Sequence, residues 1–86
     1  MLFVFPDSGR QAFWMKDTII PIDIIWISAE GSVVHIQTAQ PEPGVPDSEL
    51  TLYRPDASAL YVLEVREGLA GDRGVQLGDR AQIELP

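Results

Sequence analysis

The stretch Ile22-Asp23-Ile24-Ile25-Trp26-Ile27 decides how this chain is read. It is rich in β-branched residues and apolar on both alternating faces, with Asp23 the one exception, as in a strand buried on two sides. Ser28-Ala29-Glu30-Gly31-Ser32 follows, with a glycine available for positive φ, and Val33–Thr38 resumes the strand pattern. Two such runs joined by a short polar turn predict a β-hairpin.

Outward from that hairpin, Tyr61–Arg66 sets Tyr61, Leu63 and Val65 against Val62, Glu64 and Arg66. Ala81, Ile83 and Leu85 alternate with Arg80, Gln82 and Glu84, predicting a strand with one solvated face. Leu2–Phe5 and Ala12–Met15 are shorter strand candidates, separated by the turn-forming Pro6-Asp7-Ser8-Gly9. Between Gln40 and Ala57, Pro41, Pro43, Gly44, Pro46 and Pro55 predict a surface loop with a short strand at Leu50–Tyr53. Glu67–Arg73 supports one helical turn, weakened by Gly68 and Gly71 and ended by Gly74. The expected fold is all-β: a small β-sandwich or barrel-like domain of six or seven strands with one short helical turn.

The 86 residues make one domain, 1–86, and their 45% hydrophobic content is that of a globular chain. Thirteen Asp and Glu against six Lys and Arg repel a phosphate backbone. The basic residues Arg10, Lys16, Arg54, Arg66, Arg73 and Arg80 are scattered, so no nucleic-acid partner is expected. No apolar run approaches the roughly eighteen residues of a membrane helix. Ile19–Ile27 is interrupted by Pro21 and Asp23, and Leu2–Phe5 lacks the length and basic start of a signal peptide. Without cysteine there is no disulfide or thiolate chemistry, and the compartment stays open.

Four residues are candidates for a site. Trp14-Met15-Lys16-Asp17-Thr18 leaves a strand for a turn. There Trp14 can serve as a stacking platform and Lys16 as an anion or carbonyl anchor. Equally, Trp14 and Met15 can be core, with Lys16 solvated and Asp17 or Thr18 satisfying turn amides. Asp23 must find a cation, a hydrogen-bond donor or solvent, because an unpaired buried carboxylate costs several kcal/mol. It is either a base or ligand-binding carboxylate, or a structural group paired with Lys16, Arg66 or backbone amides. Glu64 is either solvent-facing or, if its face meets that of Asp23, half of an acid/base pair.

The remaining polar residues support less. His35 alternates with Val33 and Gln37 on a half-exposed face, and a lone His without Cys is no transition-metal set. Glu42, Asp47 and Glu49 do not match a calcium loop. The glycines at 68, 71, 74 and 78 lack the lysine and strand-to-helix step of a phosphate cradle, and no serine lies in Gly-x-Ser-x-Gly. No cofactor is called for.

Four segments together resemble the prokaryotic family catalogued as domain of unknown function 192. They are Met1–Phe5; Ala12–Thr18 running into Ile20–Ile24; Ala59–Val65; and Gly74–Arg80. The Trp-Met-Lys-Asp-Thr run followed by Pro21-Ile22-Asp23 is the specific part. The resemblance implies a compact β-sandwich with a short helix in a protein often exported or lipid-anchored, and it implies no activity. The family pattern ordinarily begins with an earlier strand, so an exposed strand edge and self-association through it are expected. The reading that follows is a ligand-binding or accessory module of the bacterial cell envelope, its cleft lined by Trp14, Lys16, Asp23 and Glu64. A structural or interaction protein without a small-molecule site, or a carboxylate-based hydrolase or isomerase, are the alternatives.

Overall fold

A computed structural model describes residues 1–83 of the chain. Four antiparallel strands, β1 (Leu2–Gly9), β2 (Ile22–Ile27), β3 (Val33–Ala39) and β4 (Ala59–Arg66), form one sheet in the order β1-β4-β2-β3. The deciding stretch is β2, an interior strand buried from Asp23 to Ile27, as its two apolar faces require. The β2–β3 hairpin turns through Gly31 at φ +88°, with Ser28 and Ser32 bonded across it.

Alternation along the strands divides the core in two. Ile24, Trp26, Ala39, Ala59 and Val62 share one face, covered by Phe13, Met15 and Tyr53 from the segments on either side of the β2–β3 hairpin. There Trp26 is fully buried; its indole N–H donates to the Gln11 carbonyl at 2.9 Å and its ring meets Phe13 and His35 edge-on. Ile25, Ile27 and Val33 face the other way, under Ala70 of the short helix α1 (Leu69–Asp72) and under Val75, Ala81 and Ile83. Both faces are thus covered by irregular chain.

The all-β class with little helix holds, with fewer strands than expected. Ala12–Met15 and Leu50–Tyr53 contribute only the bridge between Phe13 and Tyr53, whose N–H and C=O groups bond reciprocally at 2.8 Å. Proline density explains this on the Leu50–Tyr53 side, where Pro46 and Pro55 bound the run and each removes a donor and fixes φ; Ala12–Met15 has no proline near it. Arg80 makes a single bridge to Ser32; Glu84 and Leu85, part of the expected last strand, lie outside the described residues. Pro6–Gly9, expected as a turn, instead continues β1 past a register break between Val4 and Gly9. A 3₁₀ turn at Asp47–Glu49 interrupts the proline-rich loop.

The hairpin glycine offers a clean test. A Cβ at Gly31 would lie 3.0 Å from the Ala81 carbonyl oxygen in a left-handed conformation, whereas Gly44, at φ +77°, has open space around it. Gly44→Ala should cost about 1 kcal/mol from backbone strain alone, and Gly31→Ala clearly more, because the chain crossing it must also shift. Urea unfolding of the two variants measures the difference; equal costs would show that the Ala81 segment yields freely.

Candidate functional site

Asp23 is 3% exposed, the buried charged residue among those described. Alternation points it to the face carrying α1, beside Thr38 of β3 and Val65 of β4. One carboxylate oxygen accepts the Thr38 hydroxyl at 2.8 Å. The other accepts the backbone N–H groups of Gly68 and Ala70, each at 3.1 Å. Those amides start α1, whose N-cap Gly68 sits at φ +88° and supplies no side chain to cap it. Asp23 caps the helix from across the sheet. Neither Lys16 nor Arg66 is its partner; they pair with Asp47 and Asp72 at 2.9 and 3.3 Å. A shallow groove of about 500 Å³ opens beside it, lined by Thr38, Gln40, Glu67, Gly68 and Val75 among others.

Glu64 lies opposite Ile24, on the face away from Asp23, which lies opposite Val65. The two carboxylates are separated by the sheet itself and form no acid/base pair. Partial burial raises the Glu64 carboxyl above its usual range, with the Met1 ammonium acting weakly the other way.

The Trp-Met-Lys-Asp-Thr run divides by alternation and by a turn. Met15 is buried in the core, while Trp14 is 46% exposed. The Lys16 ammonium sits 5.7 Å from the Trp14 ring centroid and bonds Asp47, which holds the lysine pKa up. Asp17 has φ +58°, the one non-glycine residue with positive φ among those described, and the Thr18 N–H donates to the Met15 carbonyl to close the turn. This turn and the loop holding Glu42, Gly44 and Asp47 enclose a pocket of about 180 Å³. Glu42 fixes that loop by accepting the Thr51 N–H and hydroxyl at 3.0 and 3.2 Å.

The four sequence candidates therefore do not line one cleft. Trp14 and Lys16 lie at the turn, Asp23 is under α1, and Glu64 is on the opposite face toward β1. Sequence reading missed the loop partners Glu42 and Asp47, and the strain at Asp17. A short polar residue after Lys16 in a predicted turn was the available signal for Asp17, since Asp tolerates the left-handed region.

The profile of domain of unknown function 192, described as an uncharacterized ACR, matches residues 1–83. The chain belongs to that family. Two solved structures are similar over 93% of the chain. One is a protein of unknown function from Novosphingobium aromaticivorans DSM 12444, 32% identical with a TM-score of 0.78. The other is a candidate transcription regulator from Sinorhizobium meliloti 1021, 35% identical with a TM-score of 0.75. The chain spans 54% and 58% of the lengths of those two proteins. No curated protein matches it significantly. Among the described residues no helix is long and apolar enough to cross a membrane.

Two outcomes follow for the carboxylates. Asp23→Ala and Asp23→Leu should each destabilise the fold by about 3–5 kcal/mol, because both strand the same donors, the buried Ala70 amide and the part-buried Gly68 amide. Asp23→Asn, which keeps one acceptor oxygen, should cost less. Equilibrium unfolding ranks the three, and a well-tolerated leucine would refute the capping role.

Glu64 predicts a pH trend. Its folded-state pKa exceeds its unfolded value of 4.5, so the folded chain holds the proton more tightly. Stability should decline as pH rises above that value through the folded pKa. Glu64→Gln should remove this part of the decline. Urea midpoints of parent and variant should then diverge upward from about pH 4, and parallel curves would contradict the assignment.

Proposed function

We propose that this domain is a ligand-binding or accessory module of the bacterial cell envelope, and that its binding surface is the Trp14–Thr18 turn with the 42–50 loop. The observation that carries this is the contrast between the two tryptophans. Trp26 is wholly buried, while Trp14, outside the pocket lining, keeps nearly half its surface in solvent with its ring 5.7 Å from the ammonium of Lys16, which does line the pocket. A tryptophan face left open next to fixed polar groups suits a flat or ring-shaped ligand. Asp17, Asp47 and Glu42 outnumber Lys16 there, and the chain carries a net charge of −7. A polyanion is disfavoured by that balance. Neutral polyhydroxylated molecules, such as oligosaccharides of the envelope, fit it: hydroxyls donate to the carboxylates while a sugar face stacks on the indole. The left-handed Asp17 adds support, since strained backbone concentrates at functional sites.

Ile19, 88% exposed, and Ile20 favour a second reading, in which the same turn contacts a protein partner instead. The carboxylate-enzyme reading has no such observation behind it, because Asp23 and Glu64 face apart and Asp23 is engaged by donors. Direct DNA contact of the kind a transcription regulator makes is disfavoured by thirteen acidic against six basic residues.

Intrinsic fluorescence tests the proposal, since solvent-borne quenchers reach Trp14 and not Trp26. Titration with peptidoglycan fragments and neutral oligosaccharides should shift the emission and shield it from iodide. Trp14→Ala should abolish the response while the melting temperature stays within a few degrees, as expected for a half-exposed side chain. An unshifted, fully quenchable Trp14 across the panel would count against small-molecule binding and leave the protein-contact reading.

A further inference from the structure

Among the described residues lining the proposed site, Lys16 is the basic one, and it is already engaged on two sides. Its ammonium lies 2.9 Å from an Asp47 carboxylate oxygen and 5.7 Å from the centroid of the Trp14 ring. An acceptor oxygen and an indole face are the groups that a polyhydroxylated ligand would use there. In this conformation one side chain of the protein itself occupies both.

The same contact closes a ring of chain. Phe13 and Tyr53 bond reciprocally at 2.8 Å, and from that bridge the two walls diverge, residues 14–18 on one side and the 42–50 loop on the other. They meet again at Lys16 and Asp47, both of which line the pocket. Each wall is held without that contact. Met15 is buried in the core, and the Thr18 N–H closes the turn onto its carbonyl at 3.2 Å. On the other wall, Glu42 accepts the Thr51 N–H and hydroxyl. The two paired side chains are themselves 43% and 57% exposed. Releasing the pair therefore takes a change of rotamer and leaves both walls in place.

We propose that the Lys16–Asp47 pair is an autoinhibitory clasp on this site: Lys16 stands in for the ligand, and a neutral polyhydroxylated molecule binds by displacing it. The inference rests on the reading of the site as a sugar-binding surface. Displacement hands the Asp47 oxygen to a ligand hydroxyl and the Trp14 face to a sugar ring, while the ammonium swings into water, where it is strongly hydrated. The hydrogen bond and the charge of Asp47 hold the Lys16 pKa above its ordinary value, so the clasp stays charged through the neutral range. An exposed pair is weak and is screened by salt, which gives the clasp a signature that other neutral-ligand sites lack. Salt should strengthen binding, because it weakens the internal competitor and leaves stacking and hydroxyl contacts largely untouched.

Two measurements test this, one of them without ligand. NMR titration of the Lys16 side chain should give a raised pKa in the parent that falls toward the ordinary lysine value in Asp47→Asn and at about 1 M sodium chloride. Binding of the neutral trimer of N-acetylglucosamine, followed by Trp14 emission, should tighten about two- to fivefold between low salt and about 1 M. Lys16→Met keeps an apolar stem and removes the charge. It should bind at low salt as the parent does at high salt, with no further salt response. Lys16→Arg, which keeps the charge and can keep both contacts, should retain the parent's response. A lysine that titrates alike in parent and Asp47→Asn would overturn the clasp. So would a trimer affinity that salt leaves unmoved or lowers, and so would weaker binding by Lys16→Met, which would make Lys16 a ligand contact. Failure of the trimer to bind both parent and Lys16→Met would overturn the sugar-site reading and the clasp with it, whereas binding with the wrong salt dependence overturns the clasp alone.

Discussion

The carboxylate of Asp23 holds the two halves of this molecule together. A sheet this small buries one face against α1 and the segment after it, and that helix is too short to stand alone. Its first amides need an acceptor, and the chain supplies none locally because Gly68 sits at the N-cap. Asp23 reaches them from the sheet's interior strand, and Thr38 fills its remaining oxygen. Once Gly68 and Ala70 are fixed, Ala70 seats on Ile25, Ile27 and Val33, and Val75 follows by bonding back to the Ala70 carbonyl at 2.9 Å. A charge inside an apolar strand is here the device that attaches the second layer.

The same alternation that serves Asp23 excludes the most chemically suggestive arrangement. Ile24 and Glu64 are cross-strand partners, as are Asp23 and Val65, so a one-residue offset sends the two acids through opposite faces. No side-chain movement closes that gap, because the sheet lies between them. Each acid then answers to its own surroundings: backbone donors for one, a partly dry position near β1 for the other.

What the sequence made legible follows from interaction range. The hairpin, its glycine, the all-β class and the brief helical turn ended by Gly74 all rest on residues within one or two turns of each other. The six or seven strands expected are four in a single sheet among the described residues. Whether Phe13 and Tyr53 form a bridge or a ladder depends on chain forty residues away. The partner of Asp23 lies 45 residues ahead, and that of Lys16 lies in a proline-rich loop with no periodicity to place it. Trp14 and Met15 were ambiguous for a further reason. Adjacent residues at a strand end point oppositely, and only the packed structure says which becomes core; Met15 does.

The features left over by folding are few, and the sheet keeps them apart. Phe13 and Met15 anchor the Trp14–Thr18 turn on the Trp26 face, and Leu2 and Val4 lie on the other. Trp14, between those two anchors, points the other way by alternation and stays 46% exposed, a surface that neither the core nor the sheet demanded.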